Sequence, residues 1–310
     1  MRKHLLVTIF SFVCVVIYSQ QDAQYTQYMY NTISVNPAYA GSRGVLSFTG
    51  LHRSQWVGLE GAPRTQTLSI HSPLGRQVGL GFSIVNDDIG PTNETYFDVS
   101  FSYTISTSDE GKLSFGIKGG GHLLDVDFAK LNQYVDQLTT SNNINDKFSP
   151  NIGAGVYYHT DKFYAGLSVP NFLETDHFDE SSDSNEASTF IAKERINYYF
   201  ITGYVFDLTE NWKFKPAGLV KMVVGAPLQV DVSANFMYNE RLRIGAAYRW
   251  SAAWSAMAGF QVTDGIMVGL AYDRETTDLG NTTFNDGSFE VILRFELFNG
   301  QNRIISSRFF

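Results

Sequence analysis

Thr95-Tyr96-Phe97-Asp98-Val99-Ser100-Phe101-Ser102-Tyr103-Thr104-Ile105 is the stretch that decides the fold class. Successive side chains of an extended chain point to opposite sides. One side of this stretch carries Thr95, Phe97, Val99, Phe101, Tyr103 and Ile105. The other carries Tyr96, Asp98, Ser100, Ser102 and Thr104. Read as a strand, it has one apolar face and one polar face.

The same period of two recurs in both directions. Leu113, Phe115, Ile117 and Leu123 alternate with Ser114, Lys118 and His122. Ile152, Ala154, Val156 and Tyr158 alternate with Asn151, Gly153, Gly155 and His159. Comparable segments begin at Ile196, Leu228, Leu242 and Phe289. Weaker candidates cover 45–55, 65–71, 77–85, 163–169, 212–224, 254–262 and 266–273. Together these predict about fourteen strands, no helix and no dividing linker, which suits one all-β domain. Pro216 falls within a weaker segment and cannot donate to a ladder, so a bulge, strand edge or shifted boundary is expected there.

Composition narrows the class. The 310 residues are 44% hydrophobic and 15% aromatic, which excludes a disordered chain. Cys14 is the single cysteine, so no disulfide scaffold forms. The formal net charge is −8 and no Lys/Arg cluster stands out, which disfavours nucleic acid as a partner. Mean hydropathy is −0.13, which excludes a helical membrane protein. Charged residues are only 17% of the chain, below the usual share of about 25%.

A soluble sandwich also alternates, so three further patterns identify what the apolar face meets. No Asp, Glu, Lys or Arg lies on the apolar faces of the clear strands. The opposite faces carry Asp98, Lys118, Asp231, Arg241, Arg243, Arg249, Glu290, Arg294 and Glu296. A charge on the lipid side of a membrane barrel costs about 2–4 kcal/mol at the midplane, whereas a lumen can solvate it. Connections also alternate in length. Ser72–Arg76, Ser106–Gly111, Thr160–Lys162, Asp207–Asn211, Asn239–Glu240 and Thr263–Gly265 are short. Asn86–Glu94, Asp125–Ser149, Pro170–Glu194 and Glu275–Asp286 are longer. Gly225–Pro227 and Ser251–Ala252 break that trend by being short on the long-loop side. Finally, Tyr158 with Phe163, Phe206 with Trp212, and Trp250 with Trp254 flank turns, as aromatic girdles do at membrane interfaces. The expected fold is therefore a closed transmembrane antiparallel β-barrel of about fourteen strands.

Residues 1–19 read as a secretory signal peptide: Met1-Arg2-Lys3-His4 is basic, Leu5 to Tyr18 is apolar, and Ser19 is small. Residues 44–298 form the expected barrel and 299–310 a periplasmic tail. An even strand count places both termini in the periplasm. Residues 20–43 hold the turn signals Asn36-Pro37 and Ala40-Gly41 and an aromatic cluster of Tyr25, Tyr28, Met29, Tyr30 and Tyr39. They predict an ordered periplasmic or lumen-packed segment, either a plug and docking surface or a structural cap.

The mature N-terminus resembles the PorP/SprF family, outer-membrane barrel proteins of the type IX secretion system of Bacteroidetes. Gln27-Tyr28-Met29-Tyr30-Asn31 and Asn36-Pro37-Ala38-Tyr39-Ala40-Gly41 carry the resemblance. Arg53-Ser54-Gln55-Trp56, Gly61-Ala62-Pro63 and Asn86-Asp87-Asp88-Ile89-Gly90 follow in the expected order. The ending Ser307-Arg308-Phe309-Phe310 is similar but lacks a Pro before the Arg and has Phe where Tyr is usual. The resemblance implies a role in type IX secretion and gliding, with a secreted cargo protein, often an adhesin bearing a C-terminal sorting domain, as partner. It also implies contact with other secretion-system components or a peptidoglycan-binding periplasmic protein.

Catalytic patterns do not assemble. There is no H-E-x-x-H, P-loop lysine or G-x-S-x-G, and His52, His71, His122, His159 and His177 lack ligand spacing. Asp125 with Asp127, and the acidic run Glu174–Glu186, are the weak calcium candidates, and no cofactor or metal is expected. Candidate partner-binding residues are Tyr28, Asn31, Asn36, Pro37, Tyr39, Arg53 and Trp56 from the matching motifs, and Arg241, Arg243 and Arg249 from the inner face. The arginines also read as an internal salt-bridge network with Asp98, Asp231, Glu290 and Glu296. The expected function is a non-enzymatic outer-membrane barrel that binds cargo through its outer loops and lumen, with outer-membrane lipid around it. The alternatives are a diffusion channel or ligand transporter, and an outer-membrane enzyme.

Overall fold

A computed structural model describes residues 24–127, 130, 143–173, 195–282 and 285–298. The proposed leader (1–19), the acidic run 174–186, His177 and the tail 299–310 lie outside the described residues. Fourteen strands follow in chain order: β1 (Leu46–Ser54), β2 (Arg64–Leu74), β3 (Val78–Ile89), β4 (Thr92–Ser106), β5 (Lys112–Val126), β6 (Ile144–His159) and β7 (Phe163–Val169). Then come β8 (Asn197–Tyr204, resuming at Phe206–Asp207), β9 (Trp212–Val223), β10 (Gln229–Tyr238), β11 (Leu242–Arg249), β12 (Ala253–Thr263), β13 (Ile266–Glu275) and β14 (Ser288–Leu297). Each pairs antiparallel with the next. The last pairs with the first, Leu46 opposite Leu297 and Ser54 opposite Phe289, so the sheet closes and no edge is left unpaired. Closure is what hydrocarbon demands, because it supplies no partner for a free N–H or C=O. Among the described residues no helix is long and apolar enough to cross a membrane.

The burial pattern is that of a water-soluble core turned inside out. Leu167 is 62% exposed and Ile117 is 61% exposed on the outer wall, while Ser102 and Ser47 are fully buried inside it. The β4 stretch behaves as its alternation requires: Val99, Phe101, Tyr103 and Ile105 point outward, and Ser100 and Ser102 point in. Aromatic pairs ring both ends of the outer wall. Trp212 meets Tyr238 at 4.8 Å and Tyr204 meets Phe206 at 4.6 Å at the short-turn end. Tyr248 meets Trp254 at 4.4 Å at the other.

Pro216 lies inside β9 and remains in register with Ala234 of β10. On its other side the ladder to β8 is interrupted between Gly203 and Phe206. Val205, within that gap, donates its N–H to the Lys162 carbonyl at 2.8 Å instead. The irregularity expected at the proline is thus a local break in pairing.

Two connections differ from the sequence reading. The stretch 86–94 is not a loop, because β3 runs to Ile89 and β4 begins at Thr92, with a tight turn at Gly90-Pro91. Asn86 Nδ2 donates to Asn93 Oδ1 and Thr95 Oγ1, and Thr65 Oγ1 donates to Asp87 Oδ1, so the polar residues bond across paired strands. Likewise β5 and β6 extend to Val126 and from Ile144, so much of 125–149 is strand. Crossing a membrane takes about 9–11 residues. β4, β5 and β6, with 15, 15 and 16 residues, therefore project beyond it, where polarity on both faces costs little.

Candidate functional site

Residues 24–43 lie inside the ring of strands. They form three short 3₁₀ turns, Tyr28–Tyr30, Thr32–Ser34 and Pro37–Tyr39. Asn36 opens the third turn, its side-chain oxygen accepting from the Ala38 N–H at 3.0 Å and Pro37 following at the first turn position. The segment touches inward-facing residues around the circumference. Asn31 Oδ1 accepts from Ser69 of β2 at 2.8 Å. Ser102 of β4 donates to the Ala40 carbonyl at 2.7 Å, and Ser168 of β7 to the Val35 carbonyl at 2.7 Å. Asn36 Nδ2 donates to the Val156 carbonyl of β6 at 3.1 Å. Tyr39 meets Tyr157 and His71 edge-on at 5.4 and 5.5 Å.

An apolar core therefore fills the lumen: Tyr25, Tyr28, Met29, Tyr30, Ile33, Val35, Ala38 and Tyr39 pack on Leu51, Tyr157, Tyr164, Tyr199, Ile201, Leu219, Met267 and Ile292. The wall makes room with glycine. A Cβ on Gly116 would collide with the Ala38 backbone, and one on Gly155 with the Asn36 carboxamide. Alternating glycines on the inner face thus serve close approach of a second chain segment.

One end of the segment is clamped by a buried charge network. Arg53 of β1 pairs with Asp273 of β13 at 2.6 Å and with Glu290 of β14 at 3.2 Å, all nearly fully buried. Thr26 donates its hydroxyl to Asp273 at 2.6 Å. The N–H groups of Thr26 and Gln27 donate to Glu290 at 3.0 and 2.8 Å. Such a network holds when every member is satisfied, and leaves a costly buried charge when one is removed. At the other end Arg43 pairs with Glu296 before the chain enters β1. Gln24 and Arg43 therefore sit at opposite halves of the barrel. The described chain begins near the long-connection mouth, because Thr26 is held at the far end of β1.

Above the clamp, at that mouth, is a cavity of about 990 Å³. Trp56, Tyr96 and Trp250 give it aromatic surface. Glu94 and Glu275 give it acid, and Arg195, Lys221 and Arg249 give it base. Trp56 is held in a left-handed backbone conformation, φ 46°, which non-glycine residues rarely adopt and which clusters at binding sites. Its N–H donates to Ser288 Oγ at 3.2 Å and its indole N–H to Glu275, so the ring is fixed at the rim. Gln24 also lines this cavity.

The ten candidate residues separate accordingly. Tyr28, Asn31, Asn36, Pro37 and Tyr39 are buried in the lumen and bind the wall. Arg53 is the clamp. Trp56 and Arg249 line the mouth, Arg249 paired to Asp231 at 3.1 Å. Arg243 is buried in the short-turn half. Arg241 does not share the lumen with them, as the sequence reading had it. It is exposed in the tight turn between β10 and β11, where Asn239 and Glu240 take positive φ. Of the expected network, Arg249–Asp231 and Arg294–Glu296 form, whereas Asp98 pairs with Lys118 and Glu290 with Arg53. Sequence reasoning missed Asp273 and Lys215, both on inner faces of weaker strands; their register with Ala271 and Ala217 was the available signal. Asp125 and Asp127 accept from the Asp146 N–H and the Asn143 side chain, and among the described residues no cluster fit for a metal ion occurs.

A profile of the family described as type IX secretion system membrane protein PorP/SprF matches residues 17–295. No curated protein matches the chain in sequence. Among solved structures it is similar to the outer membrane protein Omp33 of Acinetobacter baumannii, with 9% identity and a TM-score of 0.48 over 82% of this chain and 100% of that one. It is similar to the monoaromatic hydrocarbon channel CymD, with 11% identity and a TM-score of 0.48 over 88% and 92%. It is also similar to the toluene transporter TbuX of Ralstonia pickettii, with 9% identity and a TM-score of 0.46 over 84% and 91%. At these identities the likeness concerns the fold alone.

Proposed function

Because the chain belongs to the type IX secretion system membrane protein PorP/SprF family, we propose that it is a non-enzymatic barrel that grips a secreted surface protein and supports its export or anchoring. The long-connection mouth faces the cell exterior and the short turns face the periplasm, the usual sorting of loop length in outer-membrane barrels. The partner is adhesin-type cargo with a C-terminal sorting domain, seated in the 990 Å³ mouth against Trp56, Tyr96 and Trp250. Fixed aromatic rings rimmed by mixed charge are the surface chemistry of protein-binding hot spots. The observation that carries this reading is the filled lumen. Residues 24–43 occupy the channel axis with a packed apolar core, leaving a binding mouth in place of a passage. A diffusion channel needs that axis open.

The test is photo-crosslinking in living cells, with benzoylphenylalanine placed singly at Trp56, at Trp250 and at Arg241. Adducts to a secreted protein bearing a sorting domain are expected at 56 and 250 and not at 241, which lies at the opposite end. Equal labelling at all three positions, or none at the mouth while the cargo still reaches the surface, would overturn the assignment.

A further inference from the structure

The short-turn half of the lumen holds an excess of buried positive charge. Lys215 of β9 is fully buried, and Arg243 of β11 and Arg294 of β14 are more than nine-tenths buried. The Arg43 side chain joins them at 9% exposure. Lys215 Nζ lies 5.7 Å from the centre of the Tyr30 ring and Arg294 Cζ lies 5.9 Å from it, so one ring brings the two cations together. Arg43 and Arg243 are within electrostatic reach of both. The carboxylate among them is Glu296, which takes Arg43 directly and lies 3.7 Å from Arg294 Nε. Arg243 donates from Nη2 to Gln261 Oε1 at 3.1 Å and pairs with no carboxylate among the described residues.

Three other cations of the inner wall do meet carboxylates. Arg53 has two carboxylates, Lys118 has Asp98 at 2.8 Å, and Arg249 has Asp231 at 3.1 Å. Among the described residues this cluster leaves four buried guanidinium nitrogens without acceptors, Nε and Nη1 of Arg243, Nη1 of Arg294 and Nη1 of Arg43, where Arg53 leaves only its Nε. A buried charged donor with no acceptor loses its hydration and gains nothing in return. Contact with the Tyr30 ring offsets part of that loss for Arg294, but the ring accepts none of these N–H groups.

We propose that Arg243, Arg294 and Arg43 form an oxyanion-binding site in the short-turn half of the lumen, taking one phosphate or carboxylate group. Guanidinium N–H groups match both acceptors in geometry and form charge-assisted hydrogen bonds with them. The anion supplies the negative charge that Glu296 alone does not, and completes the hydrogen bonding of three arginines at once. The site is separate from the outward mouth and stands whether or not cargo binds there.

Equilibrium dialysis of the full-length barrel in detergent tests it, with radiolabelled inorganic phosphate in one arm and radiolabelled acetate in the other, at constant ionic strength in chloride. One saturable anion per barrel is expected in at least one arm, and the responding arm identifies the group accepted. Arg243→Gln and, separately, Arg294→Gln should weaken binding about tenfold or more. Arg241→Gln, two residues away in the exposed turn, should leave it unchanged. Heat-modifiable gel migration confirms that each variant is folded, and two independent variants guard against loss of one. No saturable binding of either anion, or folded Arg243→Gln and Arg294→Gln barrels that bind like Arg241→Gln, would overturn the site.

Discussion

An Arg53→Ala chain is expected to lose about 3–5 kcal/mol of folding stability, the range for breaking a buried ion pair by removing one partner. The substitution strands Asp273 and Glu290, both nearly fully buried, with no cation to offset them. It also removes the donor that reaches Thr26 Oγ1 at 2.9 Å, so the start of the inner segment loses one of its ties to the wall. Two readouts should move together. The urea midpoint of the refolded barrel should fall, and limited chymotrypsin digestion should cut at Tyr25, Tyr28 or Tyr30, which the intact barrel buries. Arg53→Lys keeps one charge but cannot reach two carboxylates and a hydroxyl at once, and should recover only part of the loss. Unchanged stability together with unchanged protection of the inner tyrosines would show that Arg53 is not a clamp.

The second large effect is expected on the outer wall. Val99 is outward-facing and 56% exposed near the middle of β4. Val99→Arg should cost about 2–4 kcal/mol when the barrel folds into lipid vesicles, because the guanidinium enters hydrocarbon at the midplane. Ile105→Arg, on the same outward face at the short-turn end of the strand, should cost about 0–1 kcal/mol. Urea titration of vesicle-bound protein measures both. Equal, small costs at both positions would mean that the face around Val99 does not meet acyl chains.

The barrel was legible in the sequence because lipid and lumen impose opposite demands on alternate residues. Every strong segment and every weak one became a strand, down to 163–169, whose bounds match β7. Pro216 announced the broken pairing opposite Val205. What failed was the extent of strands beyond the membrane. Asn86, Asp87 and Asp88 read as a loop because they are polar on both faces, yet outside hydrocarbon a paired strand tolerates that. The inner segment was legible as ordered, through its aromatic residues and the Asn36-Pro37 turn. The choice between its two expected places, periplasm and lumen, was not legible, because the evidence for the lumen is spread over glycines that look like weak strand positions, such as Gly116 and Gly155, until Ala38 and Asn36 are seen against them. Arg241 was misplaced for a related reason. Its parity matches Arg243, but the tight turn at Asn239-Glu240 ends the strand before it.

Residues 24–43 fill the lumen with a packed apolar core, and the proposed grip on a partner at the mouth requires that they close it. Single-channel recording of the purified full-length barrel in planar bilayers tests this directly, beside a chain lacking residues 24–40. The full chain is expected to insert without steady conductance, and the shortened chain to open a water-filled pore of constant size. Stable, voltage-independent conductance from the full-length barrel, equal to that of the shortened one, would contradict it.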